Sequence, residues 1–198
     1  MSLPVRYHIG QARLELVVGN IVEEAADAVV NAANSHLLGG GGVDGAIHEA
    51  AGPQLLEECR KVRAQRGPLP PGQAVSTPGC NLAARYVIHT VGPVWRGGDK
   101  NEPQILESCY CNSLIEANRL SCSSVSFPSI STGSFGYPAE AAAVIALRTV
   151  ADHLHRSGSV RLVRFVLFDE RTHRAYAGAG DELAAVFPHF EIRTELTP

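Results

Sequence analysis

A carboxylate just beyond four consecutive glycines is the first arrangement in this 198-residue chain with an evident chemical use. The stretch is Leu38-Gly-Gly-Gly-Gly-Val-Asp-Gly-Ala-Ile-His48, and it follows an apolar run that ends in Val30-Asn-Ala-Ala-Asn34. Glycines lack a Cβ, so their backbone can approach a ligand closely and adopt positive φ. Ahead of a helix, such a loop presents N–H groups to an anion. Four glycines together raise the entropy cost of folding, which a plain surface turn does not require. Asp44 stands at or beside the helix start, where two roles fit it. One is an N-cap; the other is a general base that orients a water over the loop. Asn31 and Asn34 flank a tight reversal and serve either as turn residues or as amides that hold a ribose diol. Gly40, Gly42 and Gly45 also satisfy G-x-G-x-x-G. A dinucleotide fingerprint, however, needs its glycines directly after a strand and an acid about 20 residues on at a second strand end. Here about eight residues intervene, and the nearest acids, Glu57 and Glu58, fall in a helical stretch. An NAD-type site is therefore disfavoured.

A second glycine loop, Phe127-Pro-Ser-Ile-Ser-Thr-Gly-Ser-Phe-Gly-Tyr-Pro138, joins an apolar run to another helical stretch. It has the small residues of a phosphate cradle but lacks the Gly-Lys-[Ser/Thr] of a P-loop. The amides of residues 131–136 and the hydroxyls of Ser131 and Thr132 suit a diphosphate. Phe135 either packs into the core or offers its ring to a ribose or base.

The elements that must position these loops alternate along the chain. Residues 14–18, 28–30, 74–77, 86–91, 124–127 and 164–168 read as strands. Helices are expected around 44–51, 53–65, 102–119, 138–156 and 172–186, with Pro138 at a helix start and Gly158 at its end. The alternation implies an α/β sandwich with a mixed, mainly parallel sheet, in which ligands collect beyond the carboxyl ends of the strands. The Gly67–Gly72 segment, rich in Pro and Gly, is short and reads as a connection inside one domain.

Composition bounds the rest. Hydrophobic residues make up 45% and charged residues 19%, which fits one globular domain over 1–198 and excludes a disordered class. A net charge of −3 argues against general nucleic-acid binding. The five cysteines are odd in number and form no C-x-x-C, so reduced thiols are expected, without a disulfide framework or a metal site. The first ten residues lack the features of a signal peptide, and residues 121–139 are too rich in Ser, Gly and Pro to span a membrane. The expected location is the cytoplasm.

With both loops described, the chain resembles a macrodomain of the MacroD type, in its bacterial O-acetyl-ADP-ribose deacetylase branch. The likeness rests on Gly19-Asn-Ile21, Val30-Asn-Ala-Ala-Asn34 and Leu38 to His48. It continues in Val87-Ile-His-Thr-Val-Gly-Pro-Val-Trp-Arg-Gly-Gly98 and Ile130-Ser-Thr-Gly-Ser-Phe-Gly-Tyr-Pro138. These segments keep their order and spacing over roughly residues 13 to 176.

The resemblance implies a three-layer α/β/α fold with ADP-ribose in a cleft at the strand ends. Asn20 and Ile21 would meet the adenine, and Phe168 would pack on it. Asn34 would position the distal ribose, with Gly41, Gly42, Val43 and Asp44 lining that ribose and the diphosphate. Ser131, Thr132, Gly133, Ser134, Phe135 and Gly136 would form the diphosphate loop. Asp44, with Asn34, would be catalytic, activating a water without metal or cofactor. The ester attacked would be the acetyl of O-acetyl-ADP-ribose or the link to an Asp or Glu side chain of a mono-ADP-ribosylated protein. A monomer is the default state. The rival class is a reader that binds ADP-ribose without hydrolysis, since fold alone does not imply catalysis. Three residues depart from the family pattern. Asn20 replaces an Asp and loses charge assistance worth on the order of 1 kcal/mol. His36 replaces a small residue, and Ser134 replaces a Val or Ile.

Overall fold

The computed structural model describes residues 4–156, 158–186 and 190–192. Strands β1 (Val5–Ile9) and β2 (Ala12–Val18) form a hairpin, and β3 (Ala28–Ala32) leads to helices α1 (Gly42–Ala51) and α2 (Pro53–Arg66). Then come β4 (Ala74–Pro78), β5 (Tyr86–Thr90), α3 (Glu102–Arg119), β6 (Ser124–Phe127), α4 (Ala139–His155), β7 (Leu162–Leu167), α5 (Glu170–Val186) and β8 (Phe190–Ile192). The sheet order is β4-β5-β3-β6-β7-β2-β1-β8. The five inner strands run parallel, while β4, β1 and β8 add antiparallel edges. The expected three-layer sandwich is therefore present.

Several boundaries move. Strands β1 and β8 were not expected, and β7 stops at Leu167, which leaves Phe168 outside the sheet. Pro138 is the N-cap of α4, one residue before its first turn, and α4 ends at His155, ahead of Gly158. Among the described residues, no helix is long and apolar enough to cross a membrane.

Side chains of a strand alternate between faces, and this alternation builds two cores. On one face α3, α4 and α5 cover Leu14, Leu16, Val30, Ile88, Phe127 and Phe165. Tyr110 and Tyr176 complete this layer, their rings 5.9 and 5.2 Å from that of Phe165. On the other face α1 and α2 cover Val29 and Val87 with their own Ile47, Leu55 and Cys59. Asn31 shares the face of Val29, and His89 shares that of Val87. The register pairs Asn31 with His89 directly, so two polar side chains lie side by side beneath α1. All five cysteines are free thiols; Cys59, Cys109 and Cys122 are buried.

Asp27 fixes where β3 enters the sheet. Its Oδ2 accepts from the Ser123 hydroxyl at 2.7 Å, the Ser123 amide at 2.8 Å and the Ser124 amide at 3.2 Å, at the start of β6. Oδ1 accepts from Arg85 at 3.3 Å. The Ser123 hydroxyl above all, with these amides and Arg85, holds the Asp27 carboxyl down at about 2. A depressed folded value means that the stabilisation is complete above the unfolded value of 3.8 and is lost as pH falls toward 2. After a discount for solvent screening, it amounts to about 1 kcal/mol. Urea titrations at pH 6, 4 and 2.5 check this. The expected result is that Asp27→Asn narrows the loss of stability between pH 6 and 2.5 by most of that amount. An unchanged difference would dismiss the assignment.

Candidate functional site

Chain segments leaving the carboxyl ends of β2, β3, β5, β6 and β7 converge on one cleft of about 480 Å³. Its walls include Gly19 to Ile21, Ala32 and Ala33, Gly41 to Val43 and Ala46, and Gly92. Pro128 and Ser129, Ser131 to Phe135, Val166, Phe168, Asp169 and Thr172 complete it. The volume falls in the range of small-molecule sites, and the placement is that of ligands in open parallel sheets.

The first wall is the glycine loop and the start of α1. Gly41 is the N-cap and no side chain caps the helix, so its first amides remain available to an anion. Gly42 has φ 59°, a conformation that side-chain-bearing residues rarely adopt. Asp44 is the third residue of α1 and is therefore not its cap. It lies beneath the wall, almost wholly buried. Its Oδ1 accepts from Asn31 Nδ2 at 2.7 Å and lies 3.6 Å from His48 Nε2. Oδ2 faces the loop, where a Cβ on Gly40 would come within 3.1 Å of it. Burial raises the carboxyl of Asp44, against the lowering effects of the Asn31 hydrogen bond and His48.

Asn34, half-buried, holds the same loop in shape. Its Nδ2 donates to the Gly39 carbonyl at 2.8 Å, and its Oδ1 accepts from the His36 amide at 3.0 Å. The His36 side chain is exposed.

The second wall is residues 128–138. The Ile130 amide donates to the Tyr110 hydroxyl at 3.2 Å, which ties the loop to the aromatic core. Ser131 has φ 67°, and its Oγ is buried without a partner. A strained residue with an orphaned hydroxyl in a cleft wall marks a place where a ligand acceptor belongs. Thr132 differs, because its hydroxyl already donates to the Ser129 carbonyl at 3.0 Å or the Ser129 hydroxyl at 2.8 Å. Phe135 is half-buried and lines the cleft. Its carbonyl accepts from the Trp95 amide at 2.9 Å. Gly136 does not line the cleft; with φ 69° it closes the turn behind it.

At the far end Phe168 is 91% exposed, a large apolar surface left at the mouth of a cleft. Asn20 leaves the neighbouring strand end, its Oδ1 accepting from the Val22 amide at 3.4 Å and its Nδ2 donating to Glu23 at 3.2 Å.

A further expectation is corrected. Asn31 does not reach a ribose: β3 extends through Ala32, the pleat turns Asn31 inward, and its side chain is fully buried. Sequence reasoning also missed Gly92, where a Cβ would fall 2.2 Å from Ser131 Oγ. The Gly-Pro pair after β5 was the available signal. Also missed was the partnership beneath the loop, in which Asn31 Nδ2 lies 3.1 Å from His89 Nδ1. There His89 Nε2 lies 2.9 Å from Thr77 Oγ1 and 3.7 Å from Cys59 Sγ. Among the described residues, no group of three His, Cys, Asp or Glu side chains is placed to hold a metal ion.

Comparison with known proteins agrees with this geometry. The Macro domain family model matches residues 30–146. The O-acetyl-ADP-ribose deacetylase of Citrobacter koseri is 57% identical over 166 residues, 84% of this chain and 94% of that protein. A macro domain-containing protein of Caldanaerobacter subterraneus subsp. tengcongensis is 52% identical over 171 residues, 86% and 97% of the two chains. The Oceanobacillus iheyensis macrodomain with ADP superposes with a TM-score of 0.88 at 44% identity, over 92% of this chain and 97% of that one. The Trypanosoma brucei macrodomain in complex with ADP-ribose gives 0.75 at 40% identity, over 83% and 68%.

Proposed function

Because the chain belongs to the macrodomain family, we propose that it binds ADP-ribose in the cleft and hydrolyses the acetyl ester of O-acetyl-ADP-ribose. What carries the reading is a single continuous cleft. It runs from the exposed ring of Phe168, past the orphaned hydroxyl of Ser131, to a glycine wall backed by a carboxylate. Adenine packs on Phe168 near Asn20 and Ile21. The diphosphate lies between the amides of residues 131–135 and the uncapped start of α1, which hold it through backbone dipoles. The distal ribose then rests on Gly41 to Val43, above Asp44. The relatives named as O-acetyl-ADP-ribose deacetylases support the choice of ester.

In the proposed reaction Oδ2 of Asp44, the oxygen on the loop side, accepts a proton from a water. The resulting hydroxide adds to the acetyl carbonyl, and collapse breaks the bond to the ribose oxygen, which leaves as an alkoxide and takes the proton from Asp44. Acetate and ADP-ribose result. Asn34 contributes by keeping the loop closed over this point. Much of the acceleration comes from holding water and ester together. An ester between ADP-ribose and an Asp or Glu side chain presents the same carbonyl and is included among the proposed substrates. The five free thiols suit a reducing cytoplasm.

A side-by-side assay on O-acetyl-ADP-ribose and on Glu-, Ser- and Arg-linked ADP-ribose tests the proposal. The expected result is release from the acetyl and Glu esters and none from the Ser and Arg linkages, which are not esters. Tight ADP-ribose binding with no acetate released would instead make the protein a reader.

A further inference from the structure

Two fully buried polar side chains beneath the glycine wall have no part in the reaction as drawn. Asn31 on β3 and His89 on β5 sit side by side under α1, on strands whose neighbouring inward positions are Val29 and Val87. Burying an amide and an imidazole where valine would pack costs stability unless their hydrogen bonds are made, and a buried polar atom left unpaired calls for an explanation. Asn31 even leaves its Oδ1 buried without a partner.

The hydrogen-bond pattern is directional. Nδ2 of Asn31 carries two hydrogens and has two acceptors, Asp44 Oδ1 at 2.7 Å and His89 Nδ1 at 3.1 Å. The second bond requires a bare Nδ1, so the ring hydrogen of His89 is on Nε2, which donates to Thr77 Oγ1 at 2.9 Å. Turning the amide over would aim its oxygen at both a carboxylate and an imidazole lone pair. The Asp44 carboxylate selects the Nδ2 end of Asn31, and a His89 ring with a bare Nδ1 holds the amide that way round. We propose that Asn31 and His89 are positioning residues for Asp44, an amide and an imidazole that together keep a donor on Oδ1 and leave Oδ2 as the base. Burial holds His89 neutral, its imidazole pushed down to about 3, so the orientation persists across the working pH range. The titratable groups facing Asp44 among the described residues are His48 from α1, His89 behind Asn31 on β5, and Cys59 from α2. The inference rests on the reading of Asp44 as the group that activates water.

The test pairs two substitutions of nearly equal size. His89→Leu removes the acceptor, whereas His89→Asn puts an oxygen close to where Nδ1 was. A donor lost from Oδ1 favours protonated Asp44, so the acid limb of kcat moves to higher pH. For His89→Leu we expect kcat to fall about tenfold or more, with ADP-ribose affinity within about threefold. The acid limb should rise by about half a pH unit. His89→Asn should restore kcat to within about threefold of wild type and return the limb to its place. Equal losses in both variants, or an unmoved limb in His89→Leu, would overturn the proposal. Should His89→Leu fail to fold, ¹⁵N spectra of histidine-labelled wild type decide the matter. The neutral Nε2–H form of His89 down to pH 5 supports it, and an Nδ1–H form or an imidazolium there overturns it. Wild type without deacetylase turnover would instead sink the proposed function. Normal wild-type turnover with an unmoved limb sinks this inference alone.

Discussion

Alanine at position 44 is expected to lower O-acetyl-ADP-ribose turnover by about two to three orders of magnitude while ADP-ribose affinity stays within about threefold. The two quantities separate because they rest on different atoms. In the proposed binding mode, binding draws on backbone amides of the two loops and on Phe168, none of which needs the Asp44 side chain. In the proposed reaction, turnover draws on Oδ2, the carboxylate oxygen that faces the glycine loop. The truncation also leaves Asn31 Nδ2 without its carboxylate partner at 2.7 Å. An unpartnered buried donor costs about 1–3 kcal/mol, so the melting temperature must be recorded beside the kinetics. Asp44→Asn keeps the volume and provides the milder comparison. Calorimetric titration with ADP-ribose and an initial-rate acetate assay on the same preparations check the pair. Turnover that survives within about threefold of wild type would remove Asp44 from the mechanism.

Gly45→Ala carries the second large effect, with a sign opposite to that expected from helix propensity. In an ordinary helix interior the change favours folding by up to about 1 kcal/mol. Here an added Cβ would lie 2.6 Å from the carbonyl oxygen of Gly40, a backbone atom that cannot swing aside. Either α1 moves off the loop or the loop opens, and both disturb the wall from Gly41 to Val43 that abuts Asp44. ADP-ribose affinity is expected to fall about 10- to 100-fold, and the melting temperature by several degrees. Gly41→Ala makes the contrast, since φ there is −100° and a Cβ would meet nothing within 4 Å. It should leave the melting temperature unchanged. A Gly45→Ala protein at least as stable as wild type, with unchanged affinity, would show that the close packing of helix on loop is not needed.

Periodicity located the inner elements of the fold because each buries a continuous apolar stripe. Helix α3 was legible over its whole length, and β6 likewise. Strand β1 escaped because Val5-Arg-Tyr-His-Ile9 mixes charge with apolar residues, and it becomes a strand through its hairpin with β2. The cleft was legible where glycine and small residues cluster, at Gly41 to Val43 and Ser131 to Phe135. It was not legible where tertiary contact decides a role. Asp44 was open between cap and base until Gly41 proved to be the cap. Asn31 was assigned to a turn because nothing local reveals that the strand runs two residues further and turns its amide inward.

The two walls of the cleft are rooted in different places. The glycine loop leads into α1, packed in the core of Val29, Ile47 and Val87, while residues 128–138 are tied through Ile130 to Tyr110 in the aromatic core across the sheet. Such a division separates two evolutionary variables. On the proposed binding mode, substitutions in the aromatic layer can retune the grip on the diphosphate without touching the carboxylate, and those around α1 can retune or erase hydrolysis while the nucleotide still binds. A hydrolase and a pure binder are thus neighbours in sequence space on this scaffold, a few changes in one layer apart.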